Sequence, residues 1–125
     1  MWVRQMIWPS LPPTLSALLC MLLVSCDAPG KGLRADHAKR MGNDIVADLA
    51  AYNSVHQRFP QSLVEVGVNL DDNEVNGPKG RVKIFYHSSS AERYELTVKY
   101  FGPGSNRCTH RSDMGDGEWE CTGAY

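Results

Sequence analysis

The feature that most constrains this chain is a change in the period of its apolar residues. Residues 33–58 contain no proline and place Met41, Ile45, Leu49, Tyr52, Val55, His56 and Phe59 largely at spacings of three and four. That spacing gathers them on one face of an α-helix. Beyond residue 80 the period becomes two. Val82, Ile84 and Tyr86 alternate in RVKIFYH, 81–87, and Tyr94, Leu96, Val98 and Tyr100 alternate in RYELTVKYF, 93–101. Alternation of this kind marks strands with one buried face. A helix with one apolar stripe and a sheet with one apolar face bury both by packing together. The expected fold class is α+β, with one long N-terminal helix on a sheet of about four antiparallel strands.

Turn residues supply the connections. Gln57, Arg58 and Phe59 lead into Pro60, which ends the helix. Ser62 followed by Glu65 is a capping-box pattern for one short helical turn, SLVE, before Gly67. NLDDNEVNGPKG, 69–80, reads as a polar loop, SSSAE, 88–92, as a hairpin loop, and GPGSN, 102–106, as the next break. A last pair of strands, RCTHR and EWECT, surrounds SDMGDG. With 125 residues there is room for one core, and a net charge of -1 supplies no polybasic field for nucleic acid.

Ahead of the helix, residues 1–14 carry one charged side chain, Arg4, and residues 15–24 read LSALLCMLLV. A positive n-region followed by an apolar h-region is a signal for export. The apolar run is shorter than the about 20 residues that a spanning helix needs. LVS then stands directly before Cys26. This resembles the lipobox of bacterial lipoproteins, with Leu23, Val24 and Ser25 at the expected places and Cys26 as the acceptor. The resemblance implies a diacylglyceryl thioether on Cys26, cleavage of the bond before it and acylation of the new amino group. Several acyl chains together give stable anchoring where one is marginal. The chain then divides into a signal peptide, 1–25, a lipidated cysteine with its tether, 26–32, and a globular domain, 33–125. APGKG, 28–32, is a run of turn formers, and such a tether reaches on the order of 20 Å, so the domain stays close to the bilayer. Asp27 resembles the retention signal that keeps such lipoproteins in the inner membrane. The implied location is the bacterial cell envelope, facing the periplasm.

With Cys20 in the signal and Cys26 lipidated, Cys108 and Cys121 remain. An even remainder in an exported chain reads as one disulfide. Folding the last hairpin symmetrically about Met114 and Gly115 sets Cys108 opposite Cys121, His110 opposite Trp119, Thr109 opposite Glu120 and Arg111 opposite Glu118. Each pair is a favourable cross-strand contact. Closing so short a loop contributes about 3 kcal/mol in the chain-entropy model.

AYNSVHQRFPQSLVEV, 51–66, is similar to the globular part of type IV pilins and type II secretion pseudopilins. There the helix ends in a tyrosine, followed by a few residues, an aromatic-proline pair and a short Ser-Leu segment. Tyr52, Phe59, Pro60, Ser62 and Leu63 match that run, and the C-terminal cysteine pair matches the disulfide loop of many pilins. The resemblance implies a pilin-like roll. Gln57 stands where the pattern usually has glycine, and a lipobox replaces the prepilin peptidase site with its long apolar helix. A chain of this kind is not expected to enter a filament as a pilin does.

No catalytic constellation is legible. His37, His56, His87 and His110 lack the close spacing of a zinc-ligand pair, although His87 and His110 could meet on adjacent strands. Asp44 and Asp48 lie one helical turn apart, and Asp48 falls on the apolar stripe, where an ion pair with Arg81, Lys83 or another basic side chain of the sheet is expected ahead of an acid-base or recognition role. No G-x-S-x-G elbow is present, and NGPKG and GPGSN do not precede helices as phosphate loops do. The expectation is a non-enzyme without cofactor or metal, anchored in the membrane by lipid and binding a protein partner in an envelope assembly such as a pilus or secretion system. The alternative is an immunity or inhibitor lipoprotein that neutralises a periplasmic enzyme. Partner contacts are expected among Arg93, Arg107, Arg111, Phe101 and Tyr125, the aromatic and arginine residues least committed to the core.

Overall fold

The computed structural model describes residues 28–77, 80–102 and 104–123. Cys26, Asp27 and Tyr125 lie outside the described residues. The described residues form one α-helix, α1 (Leu33–His56), and five strands, β1 (Glu74–Gly77), β2 (Gly80–Ser90), β3 (Arg93–Gly102), β4 (Gly104–Arg111) and β5 (Glu120–Gly123). The strands make one antiparallel sheet in the order β1-β2-β3-β4-β5, so every neighbour in space is a neighbour in sequence. The fold is α+β, as the change of period requires.

One strand more is present than expected. EVNG, inside the segment read as a polar loop, pairs with β2 through Glu74↔Lys83 and Val75↔Val82. Four mostly polar residues on a sheet edge carry no alternation to read, because only a partner strand makes them a strand. The GPGSN break also shrinks: β3 runs to Gly102 and β4 resumes at Gly104.

The helix buries Ala35, Ala38, Gly42, Ile45 and Leu49, a ridge at spacings of three and four. Its first half uses small residues, which lets the backbone approach the central strand β3 closely. Against this ridge pack Val82 and Ile84 of β2, Leu96 and Val98 of β3 and Cys108 of β4. Val55 and His56, expected on the stripe, are exposed, because the ridge leaves the sheet after Leu49 and Tyr52. The helix ends at Gln57, which takes the left-handed conformation with φ 56° and donates its N–H to the Asn53 carbonyl. This position favours glycine, which has no Cβ to clash there.

Beyond the helix, Phe59 and Pro60 tie the chain back to the sheet. The Phe59 N–H donates to the Ala91 carbonyl at 2.8 Å, and its ring meets Tyr94 edge-on at 4.7 Å. The Tyr86 hydroxyl donates to the Pro60 carbonyl at 2.6 Å. The short turn Leu63–Val66 follows, with the Glu65 carboxylate accepting from the Gln61 and Ser62 N–H groups and Gly67 closing it at φ 80°. The Ser62/Glu65 capping pattern is thus realised.

Candidate binding face

Among the described residues the helix covers one face of the sheet and leaves the other open. Residues that alternate with the core therefore stand together on the open face, and the strand register arranges them in rows. One row runs Glu74, Lys83, Lys99, Arg107, Thr122 across all five strands. Three cations thus stand side by side on β2, β3 and β4, on strands about 4.8 Å apart. Like charges directly opposite each other destabilise a sheet. Glu74 relieves this at one end only, at 3.9 Å from Lys83 and 3.5 Å from Arg81. Lys99 places its ammonium 5.0 Å from the Phe85 ring centroid, and the Arg107 Nε donates to Thr122 at 3.2 Å. Neither Lys99 nor Arg107 has a carboxylate partner among the described residues. A surface groove lined by Lys99, Arg107 and Thr122 follows this row.

The neighbouring row holds Phe85, Thr97, Thr109 and Glu120, with the two threonine hydroxyls 3.1 Å apart. The next holds His87, Glu95 and Arg111. Arg111 donates to Glu120 at 2.6 Å, and this hydrogen bond and the carboxylate charge push the pKa of its guanidinium further up. Phe85 and Phe101 are 39% and 44% exposed, so the face is cationic and aromatic rather than uniformly polar.

Of the expected partner residues, the structure brings Phe101, Arg107 and Arg111 together on this face. Arg93 opens β3 on the same side at the far end of the strand. Lys99 and Phe85 were not singled out from the sequence, and Lys83 only as a partner for Asp48, because their significance lies in a register that three strands must share. The alternation did put them on the polar side, and that was the available signal.

Two expectations, for Asp48 and for Arg111, are corrected, and one possibility, a meeting of His87 with His110, is closed. Asp48 is exposed and is not part of the buried ridge, and Arg81 and Lys83 pair with Glu74 on the side of the sheet away from the helix. His87 and His110 do not meet: β3 separates their strands, and their side chains point to opposite faces. Arg111 pairs with Glu120 and with Asp113 at 3.9 Å, whereas the exposed Glu118 accepts the Gly115 N–H of its own loop at 3.0 Å.

The hairpin register itself is as read, with Cys108↔Cys121 and Thr109↔Glu120, and the two cysteines form the disulfide. His110 is 2% exposed; its Nδ1 donates to the Glu118 carbonyl at 2.8 Å, and its ring lies 5.4 Å from Trp119. Burial pushes the phenols of Tyr86 and Tyr94 up to about 12, so both stay neutral and act as packing and hydrogen-bonding groups. Among the described residues no group of three His, Cys, Asp or Glu side chains could hold a metal ion, and no helix is long and apolar enough to cross a membrane. No family model matches the chain, and no curated protein or solved structure matches it significantly.

Proposed function

We propose that the protein is a lipid-anchored, periplasm-facing accessory protein that binds another protein through the open face of its sheet. The row Lys83, Lys99, Arg107 carries this reading. Three cations set opposite one another cost stability in the free protein, and an acidic partner surface offsets that cost. The lipobox resemblance at LVSC supplies the anchor on Cys26, and Asp27 the inner-membrane location. A pilin-like origin is consistent with one helix, an antiparallel sheet and a C-terminal disulfide. The role then belongs to an envelope assembly, at its membrane periphery. The inhibitor reading is the second choice, because the cations lie on the body of the sheet and not on a projecting loop that would enter a cleft.

Two experiments test this. The Cys26→Ser chain should carry no acyl mass and should leave the membrane fraction; retention with unchanged mass refutes the anchor. Partner capture from solubilised membranes, with products identified by mass spectrometry, should lose one specific protein when Lys99 and Arg107 are both changed to Glu. Each interfacial anchor of this kind contributes about 2 kcal/mol or more to binding. A folded double variant that captures the same proteins as the wild type refutes the assignment of this face.

A further inference from the structure

The end of the domain where α1 begins gathers Lys31, Leu33, Arg34, Arg81 and Phe101. A single exposed leucine needs no explanation. Here Leu33, 71% exposed, and Phe101, 44% exposed, share one corner, joined by Arg34, whose Nη1 donates to the Phe101 carbonyl at 2.9 Å. The Arg81 guanidinium lies over the Phe101 ring at 4.9 Å. Arg81 and Lys83 share the single carboxylate of Glu74, and Asp36 of the first helical turn is paired with Lys39 at 3.3 Å, so Lys31 and Arg34 leave this corner an excess of positive charge.

The same corner receives the chain from Cys26. The turn at residues 28–31 is closed by the Lys31 N–H on the Ala28 carbonyl at 2.9 Å. It is pinned by the buried Gly30 N–H, which donates to the Tyr100 hydroxyl at 2.8 Å, and by the Lys39 ammonium on the Gly30 carbonyl at 2.8 Å. Ala28 stands two residues from Cys26, so the reach is about 7 Å and not the roughly 20 Å expected of residues 28–32 as a tether, because the turn holds that run against the domain. The other end of the helix is about 36 Å away. That end exposes Val64, but its Arg58 and Arg111 are already paired, with Glu65 at 3.3 Å and Glu120 at 2.6 Å, and Glu92, Asp113, Asp116 and Glu118 outnumber its remaining arginine, Arg93.

Building on the lipid-anchor reading, we propose that this corner docks on the surface of an anionic bilayer. Leu33 and Phe101 enter the headgroup layer, and Lys31, Arg34 and Arg81 meet lipid phosphates. The acidic end then points away from the membrane, and the cationic row on the open face stands at its side, accessible to a partner. Phe101, expected among the partner contacts, is thereby assigned to lipid.

The test uses the lipidated protein in nanodiscs of phosphatidylglycerol and phosphatidylcholine with brominated acyl chains. Phe101→Trp reports on the corner, and Leu33→Trp is a second reporter should the first disturb folding. Val64→Trp reports on the far end, and Trp119, whose indole N–H donates to Asn43 at 2.8 Å, is an internal reference. The expected result is quenching and a blue shift of the emission added at 101 or 33, with Val64→Trp and Trp119 unquenched. Lys31→Gln combined with Arg81→Gln removes two charges. Each is worth about five-fold near an anionic surface, so the docked-to-free ratio should fall about 25-fold. Emission at 101 and 33 that is unquenched on a chain of acylated mass overturns the docking, leaves the anchor standing and frees the corner for an acidic protein. Equal quenching of both ends overturns the orientation. Quenching unchanged between the two lipids overturns the assignment to anionic headgroups. A chain without acyl mass overturns the anchor, and this inference with it.

Discussion

Changing Gly42 to alanine sets two effects of similar size against each other. In an exposed helix interior the change is favourable by about 1 kcal/mol, because glycine gives up more backbone freedom on folding. Gly42, however, is buried where α1 crosses the sheet. A Cβ there would lie 2.6 Å from the Trp119 Cζ2 and 3.3 Å from the Val98 Cγ1, against ordinary contact from 3.4 Å. The indole would have to retreat by roughly an ångström, a displacement of the kind that overpacking imposes at a cost of about 1 to 3 kcal/mol. It is not free to move. Its N–H donates to Asn43, the next residue of the same helix, at 2.8 Å, and its other side faces the His110 ring. Losing that hydrogen bond adds about 1 kcal/mol. The net expectation for Gly42→Ala is a destabilisation of about 1 to 3 kcal/mol, measured by urea denaturation of the protein with its disulfide intact. In a Trp119→Leu background the obstacle is gone and Gly42→Ala should become stabilising by up to about 1 kcal/mol. A stabilising Gly42→Ala in the wild-type background would refute the packing argument.

Replacing both Cys108 and Cys121 by serine should lower stability by about 3 kcal/mol in the chain-entropy model, read as a shift of the denaturation midpoint. Gln57→Gly should raise it by about 1 kcal/mol, because Gln57 holds φ 56° at the end of α1, where glycine has no steric cost; an unchanged midpoint would contradict this. Hydrogen bonds from the Gln61 N–H above all, and then from Ser62, Tyr52 and Arg58, hold the Glu65 carboxyl below its ordinary value of 4.5. Its folded pKa is depressed, so its contribution is present above that value and is lost as pH falls through the lower folded pKa. Glu65→Gln should flatten this acid limb, and a limb of unchanged shape would assign the effect elsewhere.

Residue period and local counting carried much of this protein. The three-and-four spacing between Met41 and Tyr52 and the alternation from Val82 to Tyr100 are short-range patterns, and they specified α1, β2 and β3 without reference to anything distant. The pairing of Cys108 with Cys121 was equally local, since a hairpin register follows from its own turn. Tertiary structure decided the rest. EVNG became a strand only because β2 offered it an edge. The buried ridge starts at Ala35, Ala38 and Gly42, small residues whose value lies in how near the sheet stands, and this rotation turned Asp48 outward. Trp119 left the expected strand position to lie against Gly42, and Glu118 was thereby taken from Arg111. The row Lys83, Lys99, Arg107 needs three strands in one register, and the corner of Leu33, Arg34 and Phe101 needs the start of the helix beside the end of β3. Both join residues far apart in the chain, and no pattern within a window of sequence records which distant side chains a fold will make neighbours.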